Sequence, residues 1–279
     1  MSYRVLDLNL EKGGPDWNML AITNHVNRQA QLGKPYDVLA FQEAASKGMT
    51  RPAEYGRISQ SEAAHLDCFG FLQQRLPSYQ GYFQPTITIT GVTGEEGLAI
   101  FHRNIFQPLN PPGVHWLRPY REVPNILTKA DTQGYAIQYL DLQMHKHVLR
   151  VANHHGFFEP HPFTSTLKET MWQKVKDFFK VGPQTFAFCS DTNVNAGEQA
   201  LAVLSESDLN AQNNTLNWGD FGTIDKSRTR HPSLRAPESK VSCDNVFTKG
   251  LKVINYEKVL ESLSDHHALS MEFDFIPEV

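Results

Sequence analysis

Cysteine is scarce: 279 residues contain three, Cys68, Cys189 and Cys243. The count is odd and the spacings are wide, so no disulfide framework or paired-cysteine zinc pattern is visible. The thiols read as reduced, core or near-core groups in a cytosol-like compartment. Long apolar runs are missing too, and nothing approaches the ~20 residues needed to span a bilayer. The opening stretch, MSYRVLDLNLEKGG, has no basic segment followed by a long apolar one and does not read as a signal peptide. A cytoplasmic location without integral membrane association is therefore expected, with signal-less export left open. Positive charge is not in excess: 26 Lys and Arg face 30 Asp and Glu, for a net charge of -4 and a pI near 6.3. That excludes the globally basic surface of many duplex-DNA binders, but not a local basic groove or the field of a bound cation. No internal repeat or low-complexity tract occurs.

What is present is an ordinary globular mixture, 40% hydrophobic and 20% charged, long enough for one large layered domain over residues 1–279. Alternation over Val5 to Leu10 predicts a first strand. Asp16 to Leu32 reads as a helix capped by Asp16 and stopped by Gly33. Tyr36 to Phe41 is a short apolar strand, and Ser61 to Leu76 a second helix. Tyr79 to Phe83, Thr86 to Thr90 and Gly97 to His102 have strand character. The Pro-rich Gln107 to Arg121 reads as irregular. Tyr135 to Gln143 and His147 to Asn153 form a hairpin, Thr166 to Phe179 a third helix, and Gln184 to Ser190 a strand. Glu198 to Leu204 is a short helix, and Asn210 to Lys240 a polar loop carrying little core. Ser242 to Phe247 and Ala268 to Phe275 close the pattern as strands. Mixed elements with many hairpins argue for an α/β sandwich rather than a simple βαβ repeat.

Five polar clusters lie at or just beyond apolar strand ends. They are VLDLNLEKGG (Asn9, Glu11), LAFQEA (Gln42, Glu43), VANHHG (Asn153, His155), FAFCSDTN (Asp191, Asn193) with CDNVF (Asp244), and LSDHHAL (Asp265, His266). A rigid sheet positions side chains at its strand ends, so such groups can converge on one pocket.

These clusters, in this order, resemble the motifs of the Mg²⁺-dependent endonuclease/exonuclease/phosphatase superfamily, and the resemblance runs from Asn9 to His266. Each motif alone is weak, whereas the ordered set is specific. The resemblance implies a four-layer α/β/β/α sandwich of two packed, mixed, mostly antiparallel sheets. It also implies a Mg²⁺-dependent phosphoester hydrolase, with Mn²⁺ as a substitute metal and nucleic acid as the favoured substrate. An inositol-phosphate phosphatase, a sphingomyelinase-like phospholipase and an inactive binding module on the same fold are the alternatives.

Elementary chemistry agrees with that reading. Phosphodiester hydrolysis builds negative charge on oxygen, which a hard, oxygen-liganded cation stabilises. Glu43 is the leading metal ligand, with Asn9, Glu11 and Asp265 as further members. Asp191 is the expected base for the attacking water. Asn193, two residues on, shares its face in an extended segment and offers an amide to phosphate. By the same alternation Asn153 and His155 share a face, with His155 donating to the phosphorane and His154 pointing away. His266 is expected to stabilise the transition state or protonate the leaving oxygen. Asp244 is the carboxylate expected to orient it.

Three positions depart from the family pattern. Ser190 stands where Gly is usual, Gly156 where Leu is frequent, and Asn245 where an aromatic residue follows the strand Asp. The stretch Glu95 to Arg103 reads as core sheet, with Arg103 reaching either substrate or a salt bridge. Trp116, Arg118, Tyr120 and Arg121 combine rings and charge in the manner of a single-strand platform, although an ordinary loop accounts for them as well. Arg228, Arg230, His231 and Arg235 read equally as a polyanion grip or a solvated loop.

Overall fold

A computed structural model describes residues 2–11, 18–46, 67–88, 95–118, 134–159, 163–206, 208–218, 222–225, 241–259, 261 and 263–277. In chain order its elements are β1 (Tyr3–Asn9), α1 (Met19–Gln31), β2 (Val38–Ser46), α2 (Cys68–Arg75), β3 (Tyr79–Thr88) and β4 (Glu95–Arg103). Then come β5 (Gln107–Pro108), β6 (Gly113–Arg118), β7 (Tyr135–Met144), β8 (His147–His155), α3 (Thr166–Lys180) and β9 (Phe186–Asp191). The last are α4 (Gln199–Ala202) with a 3-10 turn (Val203–Ser205), β10 (Gln212–Asn213), α5 (Asn214–Asn217), β11 (Asp244–Lys249), β12 (Leu251–Lys258) and β13 (Leu269–Phe275).

The strands form two sheets. One runs β12-β13-β1-β2-β4-β3; the other runs β10-β11-β9-β8-β7-β5, with β6 also on β7. Each has one parallel pair, β1 with β2 and β8 with β9, among antiparallel neighbours. Strand alternation sends each sheet's residues to two cores. Leu6, Leu8, Leu39 and Phe41 pack under Met19, Ile22 and Val26 of α1 and Leu72 of α2. Their neighbours Val5, Val38 and Ala40 meet Leu140, Val151, Ala187, Cys189 and Val246 of the second sheet. On its outer face that sheet buries Ile137, Ala152, Phe188 and Phe247 beneath Met171, Trp172, Val175 and Phe179 of α3. The order helix, sheet, sheet, helix is the expected four-layer α/β/β/α sandwich.

Helix α3 shows how local sequence serves this arrangement. Ser165 accepts a hydrogen bond from the Lys168 N–H and caps the first turn, which also carries Glu169. Its apolar stripe includes Trp172, 2% exposed. Full burial of such a side chain contributes roughly 2–3 kcal/mol.

Several elements differ from the sequence expectations. Helix α1 begins at Met19 with Asn18 at its cap position and no side-chain cap bond, while Asp16 lies outside the described residues. Gly33 does end it, at φ 74°, where glycine carries no Cβ penalty. Helix α2 starts at Cys68, capped by Asp67; residues 61–66 lie outside the described set. The two strands expected around Pro85 are one, β3, with a register shift between Pro85 and Ile87, because a bulge accommodates a residue without an N–H. The Pro-rich stretch is not irregular throughout: β6 pairs with β7, on the sheet margin that tolerates nearby prolines. The expected loop after Asn210 carries core, since Ala211, Asn213, Asn214 and Thr215 are buried. Polar side chains hide there because Asn214 donates to the Val246 carbonyl and Thr215 to that of Asp244.

Candidate active site

Both parallel pairs end on the same side of the sandwich. The register sets Asn9 beside Gln42 in one sheet and His155 beside Asp191, itself beside Asp244, in the other. Along each inward-facing row the residues turn from apolar to polar toward this edge. β1 runs Tyr3, Val5, Asp7, Asn9; β8 runs Leu149, Val151, Asn153, His155; β9 runs Ala187, Cys189, Asp191. Period-two alternation therefore carries the catalytic-type side chains into the mouth of the inter-sheet core.

Buried amides tie the sheets together just below that edge. Gln42 Nε2 donates to Asp7 Oδ1 at 2.8 Å and to Asn153 Oδ1 at 2.7 Å. Asn153 Nδ2 donates to the carbonyls of Phe41 at 2.8 Å and Ala99 at 3.2 Å. Burial, then the charge of Asp244, pushes the Asp7 carboxyl well above the usual range. Burial thus favours the protonated form of Asp7 beneath the polar cluster.

Above this layer, β2 departs from regular pairing. Its register to β4 shifts between Phe41 and Ala44, and Glu43 takes φ 47°. The bulge re-aims one residue, so Gln42 and Glu43 both serve the inter-sheet side. Glu43 Oε1 lies 3.4 Å from Asn9 Nδ2 and 3.6 Å from His155 Nε2. Asp191 Oδ2 is the hub of the cluster: Asn9 Nδ2 donates to it at 2.9 Å, and the Nε2 atoms of His155 and His266 lie 3.6 and 3.9 Å away.

On the far side of Asp191, His266 Nδ1 is 2.9 and 3.0 Å from the two carboxylate oxygens of Asp244. The segment carrying His266 is held by backbone bonds from Asp225 N–H to Asp265 O and from His267 N–H to Thr223 O. Burial alone lowers the His266 pKa. The charges of Asp244 and Asp265 and the bonds to Asp244 and Cys243 outweigh it, leaving the pKa well above the ordinary imidazole value. The ring is therefore braced by a carboxylate that favours its protonated form.

The metal-ligand expectations are brought together unevenly. Asn9 and Glu43 are in contact, and the Glu11 N–H fixes Asn9 by donating to its Oδ1 at 2.8 Å. Asp265 lies across the cluster, its Oδ1 4.0 Å from His266 Nε2. Glu96 of β4 belongs to a stretch that the sequence marks only as core sheet. It joins Glu43 and His155 in a group whose ligand atoms lie within 4.8 Å of one another. A pair of carboxylates suits a hard divalent cation such as Mg²⁺, so this donor set fits the expected metal. Only the site-facing register of a strand reading Glu-Glu-Gly pointed to Glu96, and that register was not legible.

Asn193 corrects an expectation. The chain leaves the strand at Asp191 and Asn193 adopts φ 51°, so alternation does not govern its side chain. Its N–H caps Asp191 Oδ1 at 2.9 Å and its amide donates to the Gly156 carbonyl at 3.0 Å. Gly156 is explained by the same contact: a Cβ there would stand 2.2 Å from the Thr192 carbonyl oxygen. Asn245 points outward and donates to Thr192 Oγ1 at 3.0 Å, bracing the same turn. Beneath it, buried Lys168 donates to the Asn193 carbonyl at 2.9 Å, a contact that no sequence motif announced.

His154 does point away, donating to the Ala136 carbonyl at 2.8 Å, with its pKa lowered to about 4 by burial. Arg103 is a structural cation, 3.1 Å from Asp37 at the end of β4 remote from Glu96. Trp116 and Arg118 sit on β6, with Trp116 36% exposed. Tyr120, Arg121 and the basic residues from Arg228 to Arg235 lie outside the described residues.

No known family profile and no curated protein matches this sequence. Solved structures do. An endonuclease/exonuclease/phosphatase from Bacteroides vulgatus matches with a TM-score of 0.70 at 15% identity, covering 99% of this chain and 100% of the other. D. rerio TDP2 complexed with single-strand DNA product matches at 0.67 and 14%, covering 98% and 99%. A mannosyl-6-phosphatase from Bacteroides thetaiotaomicron matches at 0.63 and 15%, covering 98% and 100%. The chain has the endonuclease/exonuclease/phosphatase fold. Its likeness to these proteins is one of architecture over essentially the whole chain, at identities where substrate and chemistry do not transfer by similarity alone.

Proposed function

We propose that this protein is a Mg²⁺-dependent phosphodiesterase acting on nucleic acid, with residues 1–279 serving as one unit. The observation that carries the reading is the shared oxygen, Asp191 Oδ2, faced by Asn9, His155 and His266 beside the carboxylate of Glu43. Glu43 is the principal metal ligand, Glu96 and Asn9 lie beside it, and Glu11 adjoins Asn9 through its backbone N–H. A bound divalent cation supplies Lewis-acid stabilisation of charge developing on phosphate oxygen.

The chain's own residues do the rest. Asp191 takes the proton of the attacking water, and the Asn193 N–H on its Oδ1 holds the carboxylate in place. His155 donates to a non-bridging oxygen as the phosphorane forms. His266, braced by Asp244, carries the proton for the leaving oxygen. Nucleic acid is favoured by the likeness to TDP2 with its single-strand DNA product and by the half-exposed Trp116 near Arg118 on one strand. The mannosyl-6-phosphatase likeness supports a second reading, a sugar-phosphate monoesterase. Among the described residues no helix is long and apolar enough to cross a membrane, and the proposal places the enzyme in the cytoplasm without integral membrane association.

The test is a substrate panel of single- and double-stranded DNA, RNA, sugar phosphates, inositol phosphates and phospholipids. Mg²⁺ or Mn²⁺ should support cleavage and EDTA should stop it. Asp191→Asn and His266→Gln should each lower kcat by about 10²- to 10⁴-fold. Undiminished turnover in either variant rejects its assigned role. No turnover on any substrate favours a binding module.

A further inference from the structure

The same edge of the sandwich holds a second donor set of different chemistry. Asp191, Cys243, Asp244 and His266 each offer one ligand atom, all within 4.8 Å of one another. The set comprises one sulfur, one imidazole nitrogen and two carboxylate oxygens. Cys243 Sγ is 3.7 Å from Asp244 Oδ2 and 3.8 Å from Thr223 Oγ1, and it lies within 4.8 Å of a His266 ring nitrogen. The other two cysteines are placed differently: Cys189 faces the apolar inter-sheet core and Cys68 the core beneath α1 and α2. Among the three, Cys243 alone sits in a metal-ligating group of the described residues.

Hard and soft donors are thus sorted within one site. The carboxylates of Glu43 and Glu96 suit Mg²⁺, which takes oxygen. A mixed sulfur, nitrogen and oxygen set of four matches the tetrahedral preference of Zn²⁺. We propose that Asp191, Cys243, Asp244 and His266 form a thiophilic metal site that takes Zn²⁺ and silences the enzyme. The silencing rests on the roles proposed for Asp191 and His266; the binding does not. On ligation a zinc–sulfur bond forms, the thiol proton leaves to solvent, and the proton between His266 and Asp244 leaves with it. No electron changes hands. Asp191 and His266 are then metal ligands and unavailable to water or the leaving group.

Co²⁺ reports on such a site directly, because a thiolate ligand gives a charge-transfer absorption in the near ultraviolet that oxygen and nitrogen ligands do not. Full-length protein titrated with Co²⁺ should develop that band, Zn²⁺ should displace it, and Cys243→Ser should lack it. In the Mg²⁺-supported assay Zn²⁺ should inhibit the native chain, and Cys243→Ser, measured relative to its own Zn²⁺-free turnover, should need on the order of 10- to 100-fold more Zn²⁺ for the same fractional inhibition. Cys243→Ala, checked for native circular dichroism, serves if the serine variant misfolds. No band in the native chain, or a band that persists without Cys243, overturns the site. Equal Zn²⁺ sensitivity of native and variant enzymes overturns the silencing. A Cys243-dependent band in a chain that hydrolyses nothing leaves the metal site standing and counts against the hydrolase reading instead.

Discussion

Two adjacent histidines on β8 illustrate how a one-residue step decides a side chain's fate. His155 enters the polar cluster beside Asp191, while His154 is sealed against Trp172 and Phe188. The His154 pKa falls from 6.5 to about 4 in the folded chain. The unfolded chain therefore takes up this proton first, and stability is lost as pH drops from about 6.5 to about 4. The lost free energy is about 3 kcal/mol. His25, also lowered to about 4 by burial, adds to the same limb. His154→Phe keeps the ring packing and should flatten that limb by roughly half in denaturant unfolding measured against pH. An unchanged slope in the variant contradicts the neutral, buried state of His154.

At the scale of elements, the site depends on two irregularities at strand ends. The bulge at Glu43 breaks alternation on β2, and the left-handed Asn193 ends β9. Between β8 and β9 only a glycine fits, because Gly156 N–H donates to the Asp191 carbonyl at 2.7 Å while its missing Cβ makes room for Thr192. Gly156→Ala should cost roughly 1–3 kcal/mol through backbone displacement. Turnover should fall much further than stability, since the displaced turn carries Asp191. A variant with native turnover and native melting would remove Gly156 from this account.

These irregular points are also where the sequence was least legible. Regular elements announced themselves by period: the hairpin of β7 and β8 and helix α3 follow from hydrophobic alternation, whereas the expected convergence of the strand ends rests on the ordered motifs and the family resemblance they carry. Apolar strands running into Asn9, Glu43, His155 and Asp191 mark the cluster in the sequence. Alternation cannot foresee a bulge or a positive φ, so Asn193 was misplaced and Glu96 was missed. Asp265 was assigned by its motif to the metal side, yet the fold sets it beside His266. Composition misled at β6 and after Asn210, where pairing and buried amide bonds outweighed the local excess of Pro and polar residues.

Across the whole molecule, the two sheets are joined at the site edge by polar groups rather than by further apolar packing. Asn153 alone touches three partners across the interface: Gln42, Phe41 and Ala99. Asn153→Ala strands those partners and should cost roughly 1–3 kcal/mol for each one left without a replacement bond. The denaturation midpoint should fall with no change in m-value. A midpoint equal to the native one would show that the sheets do not rely on this bridge.

The central claim is that side chains from both sheets surround one hard divalent cation, with Glu43 as its chief ligand. Anomalous diffraction from Mn²⁺-soaked crystals of the full chain tests it most directly. The account predicts a peak bonded to the Glu43 carboxylate, at the manganese–oxygen edge of the Asn9, Glu96 and His155 cluster, which disappears in Glu43→Gln. A peak elsewhere in the chain, or undiminished density in that variant, would contradict it.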